Sequence, residues 1–114
     1  MVAACGGVVG LEGLKLAGKT FGAAREMIGW AVGEIDEFVV HQVSRVHTEE
    51  LVKVLGIDPR KVLTIFPEFG NIGPASLPTA LSKLNESGRL VKGKRVALLG
   101  IGSGLNCSMA EVVW

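Results

Sequence analysis

Cysteine is scarce in this sequence and forms no pattern. Cys5 and Cys107 are its two cysteines; they build no disulfide framework and match no metal-ligand spacing. Free thiols fit a reducing cytoplasm, and no metal or cofactor is expected. An excess of charge of one sign is also lacking. Twelve basic residues face 11 acidic ones, a formal net charge of +1, which makes no electrostatic case for nucleic acid or an anionic membrane. No apolar run reaches membrane-spanning length. Linkers, internal repeats and low-complexity segments are missing too. Val2-Ala3-Ala4-Cys5 superficially resembles a lipoprotein cleavage box, but a basic region and room for an apolar one before it are absent, so it is not read as a signal.

What is present is a globular composition, 48% hydrophobic and 20% charged over 114 residues, the size of one domain. Residues 1–10 are small and Gly-rich, a poorly defined start. Leu14, Ala17, Phe21, Ala24, Ile28 and Ala31 then recur at spacings of three and four, which predicts an amphipathic helix of about five turns from Leu11 to Ala31, stopped by Gly33. Residues 36–41 read as a buried strand. Ser44 can cap a helix whose apolar side is Val43, Val46, Leu51, Val54 and Leu55, with Gly56 at its end. Residues 61–66 read as a second strand, stopped by Pro67. Leu77, Ala80, Leu81 and Leu84 predict a further helix, which Pro78 favours starting near Ser76 or Leu77. Residues 96–101 and 105–114 predict two strands pairing as an antiparallel hairpin. The alternation argues for an α/β domain with helices on the sheet faces.

Three polar features lie at or just beyond strand ends, where ligands bind in such sheets. His41 closes the first strand. Asn71 stands in Gly70-Asn71-Ile72-Gly73-Pro74-Ala75-Ser76, a turn that can display a side-chain amide at a helix entrance or can be an ordinary strand-to-helix turn. Gly102-Ser103-Gly104 follows a later strand. An imidazole N–H and a carboxamide N–H can together donate to an oxygen gaining negative charge, an oxyanion hole for an enolate or thioester adduct. The glycine turn can offer backbone N–H groups to a second oxyanion. A complete acyl-transfer site also needs a nucleophile.

Val40-His41-Gln42-Val43-Ser44, the Asn71 turn and Gly100-Ile101-Gly102-Ser103-Gly104-Leu105-Asn106 together resemble the C-terminal half of thiolase-fold condensing enzymes, in the β-ketoacyl-ACP synthase III branch. The details look closest to the OleA type, which joins two fatty acyl-CoA molecules without decarboxylation. The resemblance runs from about Leu11 to Trp114. It implies a thiolase-like mixed sheet with helices on both faces, here incomplete, with residues 1–114 as one C-terminal domain. It implies that His41 and Asn71 are the catalytic pair completing a Cys-His-Asn triad, and that the Ser103 backbone joins the acyl-enzyme's oxyanion hole. Arg45 and Gly73 are weaker substrate-binding candidates; Arg45 could steer a phosphopantetheine donor or simply solvate a helix end.

The sequence departs from the branch in three ways. It covers most of one half, without the half that carries the acyl-accepting Cys; Cys5 and Cys107 are not read as that nucleophile, and Cys107 is expected to be buried. Ser44 stands where ketoacyl synthases commonly have Asn, and the glycine turn is less full than theirs. The last two favour the acyl-CoA condensing type. The expectation is therefore the C-terminal catalytic half of a cytoplasmic acyltransferase acting on acyl-CoA or acyl-ACP, inactive alone, completed by an N-terminal half and forming a homodimer. The alternatives are a decarboxylative β-ketoacyl-ACP synthase III and a non-catalytic truncated or partner subunit. His47 is read as a surface or satisfied histidine. Since the first clear element is a long helix, the half is expected to lack its first strand and to self-associate or depend on a partner, unless Val8 and Val9 in residues 1–10 supply a makeshift one.

Overall fold

The apolar stripe at spacings of three and four does form a long helix, α1 (Val8–Ile28), in a computed structural model that describes residues 8–102 and 104–114. Val8 and Val9 open this helix and supply no strand. It ends at Gly29, whose φ of 74° is a left-handed conformation that a glycine adopts without a Cβ penalty; Gly33 instead lies in a short 3-10 turn, Val32–Glu34. The strand β1 (Glu37–Val40) follows, buried at every position. Helix α2 (Arg45–Leu55) is capped by Ser44, whose side chain accepts the His47 N–H, and closed by Gly56 at φ 67°. Helix α4 (Ser76–Glu86) starts where Pro78 allows, since its first-turn N–H groups have no helical acceptor. The strands β2 (Arg95–Gly102) and β3 (Asn106–Val113) complete the described chain.

The sheet is mixed. Its order is β1-β2-β3, with β1 parallel to β2 and β3 antiparallel to β2. Alternation sorts the side chains between two cores. Phe38, Val40, Ala97 and Leu99 face Ala17, Phe21 and Ala24 of α1 and Leu51, Val52 and Leu55 of α2. Val39 and Val96 face Ala80 and Leu84 of α4. Helices thus cover both faces, as expected for a strand read as a continuous apolar run.

One expected strand does not form. Residues 61–66 make a single parallel bridge, Phe38 to Val62, flanked by a 3-10 turn (Pro59–Lys61) and the one-turn helix α3 (Phe66–Phe69). The reason is at Gln42. Its carboxamide Nε2 donates to the Leu63 carbonyl at 2.9 Å, and its Oε1 accepts the N–H groups of Ile65 at 2.8 Å and Phe66 at 3.0 Å. A side-chain amide thus takes backbone partners that a strand ladder would have taken. The buried side of α2 also differs from the apolar reading. Thr48, Leu51, Val52 and Leu55 are buried, whereas Val46 and Val54 are 65% and 52% exposed.

Charged side chains gather at the opposite end of the sheet from the His41 turn. Arg95 pairs with Glu111 at 2.6 Å, and the indole N–H of Trp30 donates to the same carboxylate at 2.7 Å. Trp30 itself is buried against Phe21. These contacts hold the start of β2 and leave the carboxyl ends of β1 and β2 to the polar turns.

Candidate functional site

His41 sits one residue beyond β1. Its backbone N–H donates to the Leu99 carbonyl at 3.0 Å, continuing the ladder by one bond, so the ring leaves from a fixed point beside β2. It is buried. Burial, and secondarily the nearby His47, hold its pKa below the ordinary imidazole value, so at neutral pH the ring is uncharged and carries one N–H donor.

Asn71 lies between α3 and the 3-10 turn Gly73–Ala75, half-buried. Its Oδ1 accepts the Gly73 N–H at 3.1 Å, an Asx turn. Gly73 has a φ of 59°, which makes glycine the residue suited to that step. With the oxygen engaged, the free direction of the side chain is its NH2 group, a donor. Asn71 is therefore both a turn former and a displayed amide; the two readings of the sequence describe the same residue.

Gln42 is the residue that sequence reasoning missed. It is fully buried, and besides the three side-chain bonds above, its backbone N–H donates to Ser76 Oγ at 3.2 Å. Ser76 is also fully buried. The residue after His41 is thus bonded to the chain on both sides of the Asn71 turn. A buried amide in an apolar setting is the signal, but nothing in the sequence shows that Gln42 is buried.

Of the remaining candidates, Gly102 ends β2 and Gly104 lies in the hairpin turn at φ 114°; Ser103 falls outside the described residues. Arg45 is the first residue of α2, exposed and paired to Glu49 across one turn at 3.5 Å, as an arginine solvating a helix end would be. Cys5 lies outside the described residues. Cys107 is half-buried on β3, less covered than expected. Burial pushes its thiol pKa up, against a hydrogen bond from Thr20, so it stays protonated and is a poor nucleophile. His47 is neither the surface nor the satisfied histidine expected: it is half-buried, burial lowers its pKa, and its buried Nδ1 has no partner among the described residues. No helix among the described residues is long and apolar enough to cross a membrane.

Residues 26–114 match the family described as 3-oxoacyl-[acyl-carrier-protein (ACP)] synthase III C terminal. The acyl-CoA:acyl-CoA alkyltransferase of Xanthomonas campestris is 71% identical over 104 residues, 91% of this chain and 31% of that protein. The β-ketoacyl-[acyl-carrier-protein] synthase III of Desulfitobacterium hafniense is 35% identical over 101 residues, 89% of this chain and 30% of that protein. Among solved structures, Xanthomonas campestris OleA with bound lauric acid and lauroyl-CoA superposes with a TM-score of 0.91 at 68% identity, over 95% of this chain and 32% of that one. The 3-oxoacyl-(acyl carrier protein) synthase III of Xanthomonas oryzae does so with a TM-score of 0.90 at 70% identity, over 94% and 32%. The chain spans about a third of the length of the curated relatives it matches.

Proposed function

The chain belongs to the 3-oxoacyl-[acyl-carrier-protein] synthase III C-terminal family, and from that premise we propose that it is the C-terminal half of a thiolase-fold enzyme that condenses two fatty acyl-CoA molecules. What supports the reading is a buried His41 one residue beyond β1, an Asn71 whose Oδ1 is engaged by the Gly73 N–H, and the bonds of Gln42 to the chain on both sides of Asn71. In the intact enzyme a cysteine of the N-terminal half takes the first acyl group and CoA leaves as thiol. The second acyl-CoA loses an α-proton to a base. The His41 N–H and the Asn71 NH2 donate to its enolate oxygen, which lowers the barrier by stabilising the charge that develops there. The enolate carbon attacks the acyl-enzyme carbonyl, the C–S bond to the cysteine breaks, and a β-keto thioester is released. Backbone N–H groups of residues 102–104 serve the oxyanion on the acyl-enzyme side. An uncharged His41 still offers one N–H donor to that oxygen.

The 71% identity to the acyl-CoA:acyl-CoA alkyltransferase supports an acyl-CoA acceptor, and the 70% identity to the Xanthomonas oryzae 3-oxoacyl-(acyl carrier protein) synthase III keeps a carrier-protein acceptor as the second reading. The acting assembly is a cytoplasmic homodimer of complete subunits, with Gly73 and Arg45 at the margin of the substrate path. The test is reconstitution. The chain alone, given long-chain acyl-CoA, releases no free CoA and forms no β-keto product; adding an N-terminal half that bears the cysteine restores both. Turnover by the chain alone, lost in Cys5→Ser or Cys107→Ser, overturns the reading. Reconstituted protein that consumes only malonyl thioester as acceptor identifies a decarboxylative synthase instead.

A further inference from the structure

We propose that Gln42 is a positioning residue: it sets the separation of His41 and Asn71 by bonding the chain just after His41 to both arms of the segment that carries Asn71. The inference rests on the oxyanion reading of that pair. Gln42 is joined to His41 by one peptide bond. Its side chain holds Leu63, Ile65 and Phe66 and its backbone N–H holds Ser76. Phe66 and Ser76 bracket Asn71 five residues before and five after it. The segment between them contains no strand, so no sheet ladder sets its distance from β1.

An apolar side chain could fill the space of Gln42 at lower desolvation cost. What it could not do is fix direction. The carboxamide donates once and accepts twice, and each bond is 3.0 Å or shorter; a buried polar group with every atom satisfied specifies one arrangement. That matters at an oxyanion hole, where donors act at about 2.7–3.1 Å from the developing charge and a misplacement of about 1 Å can cost roughly a hundredfold in rate.

The experiment uses the complete two-half enzyme with long-chain acyl-CoA and compares Gln42→Met, Asn71→Ala and the double variant. Gln42→Met is expected to lower kcat for condensation about 10- to 100-fold while KM and the rate of cysteine acylation stay near wild type. In the Asn71→Ala background the same change is expected to cost no more than about twofold, because the donor it aligns is gone. Ser76→Ala, which removes one bond of the same link and little volume, is expected to give a smaller loss with the same non-additivity, and it reads the link if Gln42→Met does not fold. Losses that multiply with Asn71→Ala, or that fall equally on acylation, overturn the assignment in favour of general packing. Wild-type condensation in Gln42→Met alongside a crippled Asn71→Ala overturns the Gln42 assignment and leaves the oxyanion reading standing. Wild-type condensation in Asn71→Ala overturns both.

Discussion

Arg89 grips Glu37 with two hydrogen bonds, at 3.0 Å and 2.6 Å, and the Glu37 side chain is only 9% exposed where it starts β1. The same guanidinium donates to the Arg60 carbonyl at 2.8 Å. One arginine after α4 therefore pins the beginning of β1 and the turn before residue 62.

Removing one partner should cost far more than removing both. Arg89→Met leaves a nearly buried carboxylate without its cation and is expected to lower unfolding stability by about 3 kcal/mol, the low end for a broken buried pair because Arg89 is partly exposed. Glu37→Leu added to Arg89→Met should recover most of that. Urea unfolding of the single and double variants checks the order; a double variant no better than the single shows that the pair acts through more than charge.

The donor pair should act unequally on the two half-reactions. In the complete enzyme, His41→Ala and Asn71→Ala are each expected to slow condensation by about two to three orders of magnitude, the usual loss for one oxyanion donor. Acylation of the cysteine should suffer less, because the pair serves the second substrate. Rapid-quench measurement of acyl-enzyme and of β-keto product separates the steps; near-wild-type condensation in either variant removes that residue from the site.

Acidification should weaken the fold through its two histidines. Burial holds both His41 and His47 below the ordinary imidazole value. Between the folded values and the unfolded value of about 6.5, the unfolded chain binds more protons, so stability is complete above that window and is lost as pH falls through it. The urea midpoint is expected to drop between about pH 7.5 and pH 5.5, and His47→Gln should reduce the drop. A midpoint independent of pH over this range contradicts it.

The chain alone should associate. Among the described residues β3 is an edge strand, and its one charged residue, Glu111, is occupied by Arg95. Val113 beyond it is 65% exposed and Trp114 39%. An apolar edge without free charge invites pairing with another chain. Sedimentation at several concentrations is expected to show oligomers growing with concentration, and Val113→Lys should reduce them; a monodisperse monomer at micromolar concentration shows that the edge is self-sufficient.

Local chemistry was legible in the residues themselves. Ser44 before an apolar-periodic run and Gly56 after it mark α2 because a hydroxyl can satisfy an early helical N–H and glycine can take φ 67°, and both effects reach only a few residues along the chain. The β2–β3 hairpin and the family, read from the His41, Asn71 and Gly102 motifs and borne out by the match over residues 26–114, are local in the same sense. The rest depended on contacts far apart in sequence. An apolar run at 61–66 has strand composition, yet whether it joins a ladder depends on which groups meet its N–H and C=O, and Gln42, some 20 residues away, meets several. Val46 and Val54 are as apolar as Leu51, but the direction from which α1 packs on α2 decided which side was buried. That the segment after His41 is bonded to the segments before and after Asn71 followed from the same kind of contact. Their residue types suggest donors, and only the folded chain, through one buried amide and the Ser76 hydroxyl, holds their two segments together.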